Sequence, residues 1–471
     1  MSVESTHADF MKHEARCKIV NDACSGSLSI KRAGYAYLPQ VIASDDAKEN
    51  DARNEAYRAR AVFFEITKDT LNKMLGIAFA DDPHFQPDGM DFLKNDADGS
   101  GKSIYQLAQT ALSGLLKNGR GGLFVDYPQT NGDSSVSDME SKGIRPTIVH
   151  YTSSQIINWR VKRVGSMLKT SLIVLSETET QVSSADEFSQ KVIQVYRVLR
   201  LDKDGYYTVQ IYSDRDGALK PDGEPTYPTN SKNQKWTEIP FIPLGAFSND
   251  WDIDPIPLES LALMNIAHYH NSAEYENTVF VCGQAQAVVT GLDEAWRNHL
   301  EEKGMFIGAS TPILLPIGAT FSFAQANEKT IAKEAMEAKE KYMQSLGAKL
   351  LEESQVIKTA TQSNNESVAQ HSVLSLCVAN INEAFELVLR WCAEYHGVGN
   401  DAKFSIKQDF AKTKLSLDDL KFYNELMLQG KLSQRTFHEM RTTGKVPEID
   451  FEAETKRIEE ENEGSLALSA E

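Results

Sequence analysis

The pattern that most limits this chain is a pair of long apolar periodicities separated by a polar gap, within residues 327–398. Ile331, Ala335, Ala338, Met343, Leu346 and Leu350 recur at helical spacing after Asn327, a residue suited to capping a helix start. Leu374, Cys377, Ile381, Phe385, Val388, Cys392 and Tyr395 step by three and four. A helix over 366–396 would run about 46 Å at 1.5 Å per residue, so something long must lie beside it. Between the two, residues 354–365 crowd Thr359, Thr361, Ser363, Asn364 and Asn365 around Lys358, with only Val356 and Ile357 to bury. That composition reads as a surface loop. Ser363 with Glu366 matches a capping box, which places the expected start of the second helix. The segment is either an ordinary connection between core helices or a hydroxyl and amide tip, carried by two rods, that touches something outside the fold.

The length of 471 residues and an apolar content of 41% allow about two to four domains with real cores. A formal charge of −18 argues against holding nucleic acid by phosphate neutralisation, while an acidic wall lets a polyanion slide past. The longest apolar runs, such as Thr278–Cys282 and Ser171–Leu175, fall far short of a membrane span, and Met1–His7 carries no signal-peptide pattern. No membrane partner and synthesis in the cytoplasm are expected. Cys17, Cys24, Cys282, Cys377 and Cys392 form no C-x-x-C pair, and two of them sit on the apolar face of the last long helix. Buried thiols fit better than disulfides or zinc, and neither metal nor cofactor is expected.

Along the chain, Asp51–Ala78 carries Tyr57, Ala61, Phe64, Thr67, Leu71 and Leu75 on one helical face. Ser103–Lys117 is a second amphipathic helix, stopped by Asn118-Gly119-Arg120-Gly121-Gly122, and Leu123–Pro128 reads as a buried strand. Residues 131–143 are a Ser/Asp/Gly loop. Short strands are expected at Pro146–His150, Ile156–Val161 and Ser171–Val174. Lys191–Leu201 and Tyr206–Tyr212 flank Asp202-Lys203-Asp204-Gly205 as a hairpin. Trp236–Phe247, with Ile239-Pro240-Phe241-Ile242-Pro243, is extended. A helix is predicted over Pro257–Asn277, strand over Val279–Val289, a short helix over Asp293–Lys303 and strand over Ile313–Ile317. Near the end, Ser416 with Asp419 and Ser433 cap short helices over Leu417–Leu428 and Gln434–Arg441, before an acidic tail.

Two motifs invite chemistry. Asp96-Ala97-Asp98-Gly99-Ser100-Gly101-Lys102-Ser103 has Asp96 where a phosphate-binding loop needs its first glycine, and its two carboxylates would repel phosphate. As a calcium loop it has Leu107 where a bidentate glutamate is required. A polar turn with Lys102 or Ser103 opening the helix is the better reading. His268 and His270 lie two apart, on different faces of a helix, and so read as packing or surface residues. The chain has no H-E-x-x-H, G-x-S-x-G or complete P-loop, so no catalytic residue is assigned and the expectation is not an enzyme.

The order of these passages resembles the portal proteins of tailed bacteriophages, the head-tail connector ring at one capsid vertex through which the genome enters and leaves. The resemblance runs from about residue 50 to about 460, on ALSGLLKNGRGGLFVDYP at Ala111–Pro128, on Ile239–Pro243, on Pro257–Gly291 and on LGAKLLEESQVIKTAT at Leu346–Thr361 leading into the long helix. It implies an α+β portal fold with an α/β wing, a β-rich clip, a helical stem, a long tunnel-side helix and a helical C-terminal crown. By that likeness residues 1–44 are an N-terminal helical arm, 45–186 and 280–353 the wing, 187–246 the clip and 247–279 the stem helix. Residues 354–365 are then the tunnel loop, 366–398 the long helix and 399–471 the crown with its acidic tail. Lys358, Thr359, Thr361, Gln362 and Asn364 would face the DNA. The implied partners are further copies in a ring, usually of twelve in that family, and double-stranded DNA bound without sequence preference. They also include the large terminase subunit, adaptor and tail proteins, and capsid and scaffolding proteins. The implied place is the virion, after assembly in the host cytoplasm. The alternatives are another oligomeric virion protein, of capsid or scaffold type, and a nucleotide-binding enzyme at Asp96–Ser103.

Overall fold

The computed structural model describes residues 2–41, 46–128, 143–182, 188–214, 219–284, 286–303, 315–324, 330–351, 372–408, 417–443, 447 and 449–468. The chain forms two units, one of residues 1–76 with 84–404 and one of residues 77–83 with 405–471. Among the described residues no helix is long and apolar enough to cross a membrane, and no cluster of His, Cys, Asp or Glu could hold a metal ion. All five cysteine side chains are buried and none is in a disulfide.

The first unit begins with helices α1 (Phe10–Ser25), α2 (Ser27–Ala33), α3 (Ala47–Arg60) and α4 (Ile66–Ala78). The continuous face expected over Asp51–Ala78 is interrupted, because Ala61 turns extended at ψ 135 and ends α3. The break is held by side chains distant in sequence. Asn265 donates to Phe64 O at 2.8 Å and accepts from Thr67 N at 3.2 Å, while Val62 N donates to Ser272 Oγ at 3.3 Å.

Helix α5 (Ile104–Asn118) opens on Ser103, whose Oγ accepts from Gln106 N at 3.2 Å while Ser103 N donates to Gln106 Oε1 at 3.2 Å. It stops at Gly119, where φ is +65° and an added Cβ would lie 2.9 Å from the Pro255 carbonyl oxygen, so only glycine fits. After β1 (His84–Gln86), earlier in the chain, strand β2 (Arg120–Asp126) follows α5 directly. It lies between β3 (Thr147–Thr152) and a later strand, Phe241–Gly245, antiparallel to both. The ring of Phe241 occupies the space over Gly122, where a Cβ would come within 2.2 Å.

Strands β4 (Ile156–Val164), β5 (Met167–Val182), β6 (Gln190–Leu201), β7 (Tyr207–Asp214) and β8 (Leu219–Pro221) form one antiparallel sheet in that order, and Phe241–Gly245 is β9. β5 runs for 16 residues, far beyond the expected Ser171–Val174. The expected edge at 186/187 therefore falls inside a sheet, since β6 pairs with β5 from Gln190 opposite Val182 to Arg200 opposite Leu172. The two sheets are tied together by Arg197, which donates to Glu177 Oε1 at 2.8 Å and to Asp126 Oδ2 at 3.1 Å.

Helix α6 (Glu259–Cys282) continues through Val279, Phe280 and Val281, where strand was expected. β-branched and aromatic residues favour strands only where a sheet receives them, and here all three stay exposed, with the Arg60 guanidinium 4.1 Å from the Phe280 ring centroid. Strand β10 (Gln286–Thr290) comes next, then α7 (Glu294–Lys303) and β11 (Thr320–Ala324), antiparallel to β10. Residues 315–317, in the stretch expected as strand, are not in one.

Helices α8 (Ile331–Leu351) and α9 (Val373–His396) are the two predicted rods. Within the stretch expected as helix, α9 is capped at Ser372, which is extended, at ψ 159, and whose Oγ accepts from Ser375 N at 3.2 Å. Its 24 residues span about 36 Å. The Ser363 and Glu366 box lies outside the described residues, as do residues 131–142 of the loop expected over 131–143. β12 (Lys403–Ser405) brings Phe404 against Phe385 of α9, ring centroids 4.7 Å apart.

The second unit carries α10 (Leu417–Leu428), α11 (Gln434–Thr443) and α12 (Phe451–Leu468). Ser433 caps α11, its Oγ accepting from Thr436 N at 3.1 Å; Ser416 lies outside the described residues. Glu454 of α12 accepts from Ser433 N at 2.7 Å and from the Thr436 hydroxyl at 2.6 Å, tying the last two helices together.

Candidate functional site

Lys358, Thr359, Thr361, Gln362 and Asn364 lie outside the described residues. The described structure supplies their frame: α8 leads into residues 352–371 and α9 receives the chain afterwards. α9 belongs to the core. Its Leu374, Cys377, Val378, Ile381, Phe385, Val388 and Cys392 are all fully buried, against β9, α5 and β2. Polar contacts fix its angle, with Asn380 donating to Gly245 O at 2.8 Å and Trp391 Nε1 to Glu238 Oε1 at 2.7 Å.

α8 differs, packing chiefly on α6. Along that seam Lys339 Nζ donates to Ala267 O at 2.7 Å, and the buried His268 places Nε2 3.1 Å from Glu340 Oε1 with its ring against Phe64. Burial holds the His268 pKa below its usual value, opposed by Glu340, and burial also lowers that of Lys339. Of the α8 side chains only Met336 and Met343 are buried. Ile331 is 75% exposed, and Tyr342, Phe323 of β11, and Leu263, Val279, Phe280 and Val281 of α6 are also open to solvent. Helices with apolar side chains on a solvent face present a surface suited to another protein surface. No catalytic chemistry follows from Met, Phe, Val and Ile.

The other residues singled out in sequence have structural roles. In the loop at 96–103, Asp98 Oδ1 accepts from Ser100 N at 2.9 Å and from Lys102 N at 3.2 Å, and Asp96 Oδ1 accepts from Gly101 N at 2.9 Å. Asp96 also pairs with Arg145. The backbone N–H groups that would cradle a phosphate are thus occupied by the loop's own carboxylates. His270 Nε2 lies 2.7 Å from Tyr37 O, so the two histidines serve different contacts and share no ligand. Burial pushes the Cys17 and Cys377 thiols up to about 12, which keeps both protonated.

One feature escaped the sequence reading. β4 and β5 join at Gly165-Ser166 as a two-residue hairpin, and its free end carries Arg160, Lys162, Arg163 and Lys169 with Val161, Val164, Met167 and Leu168. The signal was present as a Gly-Ser pair between Val164 and Met167.

Residues 257–396, from just before α6 to the end of α9, match a family described as "Domain of unknown function (DUF4055)". No curated protein matches the chain. Among solved structures, a chain from "Neck of native GTA particle computed with C12 symmetry" aligns with 12% identity and a TM-score of 0.40, over 89% of this chain and 99% of that one. Chains from "Virion of native gene transfer agent (GTA) particle" and "Neck of empty GTA particle computed with C6 symmetry" are also 12% identical, with TM-scores of 0.38 and 0.39. Each covers 89% of this chain, with 99% and 100% of the other chain aligned.

Proposed function

We propose that this chain is the repeating subunit of a portal ring, the channel for genome packaging and ejection at one vertex of a phage-like capsid. The observation that carries the reading is the contrast between α9, sealed inside its own unit, and the α6/α8 pair, whose Leu263, Val279, Phe280, Val281, Ile331 and Tyr342 side chains are left for neighbours. Side-by-side packing of that pair around an axis gives a closed ring, twelve-fold as in the family the sequence resembles. The polar segment after α8 then leans into the channel, where Lys358, Thr359, Thr361, Gln362 and Asn364 make weak, exchangeable contacts with passing DNA. One lysine per copy gives a ring of positive charge on an otherwise acidic protein.

The part that meets the packaging motor, and later adaptor and tail proteins, is assigned here to β10, α7 and β11. This small module hangs from the ends of α6 and α8, whereas strands within 187–246 are bound into two sheets. The second unit corresponds to the crown, with its edge near residue 405. A nucleotide-binding enzyme at Asp96–Ser103 is disfavoured by the occupied backbone donors.

Mass measurement with negative-stain images of the purified protein tests the ring, since shells or rods point to a capsid or scaffold component instead. Packaging assays with Lys358→Ala at low and high salt test the loop: reduced packaging supports phosphate contact, and unchanged packaging at both salts removes it.

A further inference from the structure

The β4–β5 ribbon stands out on a chain of formal charge −18, because no Asp or Glu occurs from Asn158 to Ser176 while four cations do. β6 covers β5 only from Leu172 onward, so residues 167–171 and their partners on β4 run past the sheet as a two-stranded ribbon, roughly 17 Å long at 3.4 Å per residue, anchored by Trp251 Nε1 donating to Thr170 Oγ1 at 2.8 Å and ending in a tip of Lys162, Arg163, Val164 and Met167. Lys162 sits directly opposite Lys169, a like-charge cross-strand pair that costs stability unless an anion joins it. At the tip Met167 is 62% exposed and Val164 is open as well, while Val161 and Leu168 line the cleft beneath it. Arg160, Lys162, Arg163 and Lys169 form no ion pair among the described residues.

At the foot of the same ribbon, walled on one side by the ribbon's own Val161, Leu168, Lys169 and Thr170, lies a cleft of about 660 Å³ whose other walls complement the tip. Phe241, Trp251 and Trp391 supply apolar walls, and Glu238, Asp250 and Asp252 supply carboxylates that pair with no cation among the described residues. A partner that takes cations and apolar side chains from one tip, and offers aromatic rings and carboxylates in return, is present on every copy of this chain.

From this complementarity we infer that the ribbon tip docks into the acidic, aromatic cleft of a second copy, a head-to-tail contact that propagates around a ring. The inference rests on the ring reading and assigns one of its contacts. The exposed apolar residues favour a protein over duplex DNA, which would use the cations alone, and the acidic body opposes DNA.

The test is charge reversal read by mass photometry across protein concentration and salt. Lys162→Glu with Arg163→Glu, at exposed positions, is expected to raise the assembly midpoint tenfold or more, and Asp250→Lys with Asp252→Lys to do the same. Combining the two sets should restore assembly, which a merely structural defect would not allow. Rings that form normally with the reversed tip overturn the inference and leave the ring reading standing. Rings that persist while DNA binding by the assembled protein is lost overturn it in favour of a nucleic-acid surface. A wild-type chain that never assembles overturns both.

Discussion

Helix α9 and the pair α6/α8 are built from similar periodic sequence and end in opposite environments. α9 spends its apolar residues inside its own chain, with Phe385 fully buried against Phe404. The pair buries the seam around His268, Met336 and Met343, with α6 also packed on α1 and α3 through Leu261 and Tyr269, and leaves Ile331, Tyr342 and the Val279–Val281 run to solvent. Amphipathic spacing therefore announces that a helix has a partner without saying which chain supplies it. In α9 the partner is internal; in the pair we assign it to neighbouring copies.

Substitutions should separate the two regions by size of effect. The largest is expected for Phe385→Ala, which removes a fully buried ring from the α9 core and should cost about 3–5 kcal/mol in chemical denaturation of the unassembled chain. Asn265→Ala comes next. It strips the partner from Phe64 O and Thr67 N and should cost about 1–3 kcal/mol, with faster amide exchange at residues 62–67. A loss below that range would mean the break between α3 and α4 is held by something else.

The seam between α6 and α8 should respond to acid. Because burial holds the folded His268 pKa below the unfolded value of 6.5, its contribution is complete above about pH 6.5 and declines as pH falls through the interval down to the folded value. The slope is at most about 1.4 kcal/mol per pH unit. Denaturation at stepped pH checks it, and His268→Gln should flatten that part of the profile. The smallest effect on the free chain is expected for Ile331→Ser, within about 0.5 kcal/mol in stability, combined with weakened assembly by mass photometry. A loss as large as that of Phe385→Ala would show Ile331 to be packed and erase the contrast.

Much of the local structure was legible. Ser103 opening α5 and Asp202 closing the β6–β7 turn, where it accepts from Asp204 N at 3.0 Å and Tyr206 N at 2.8 Å, follow from side chains within five residues. The break at Ala61 was not legible, because Asn265 and Ser272 hold it from some 200 residues away. Nor was the helical course of Val279–Val281, whose strand propensity is met by no sheet. The cap at Ser372 is also local, its Oγ accepting from Ser375 N at 3.2 Å. Of the candidate site, the rods were visible as periodicity, while the exposed face of the pair and the basic ribbon emerge only once burial and pairing are known.

The most direct measurement is negative-stain imaging of the purified protein with two-dimensional averaging. A closed ring with an open axis, its subunits meeting through α6 and α8, is the expected result. A single-copy particle under every assembly condition, or a particle whose α6 and α8 surfaces stay exposed, would contradict the account.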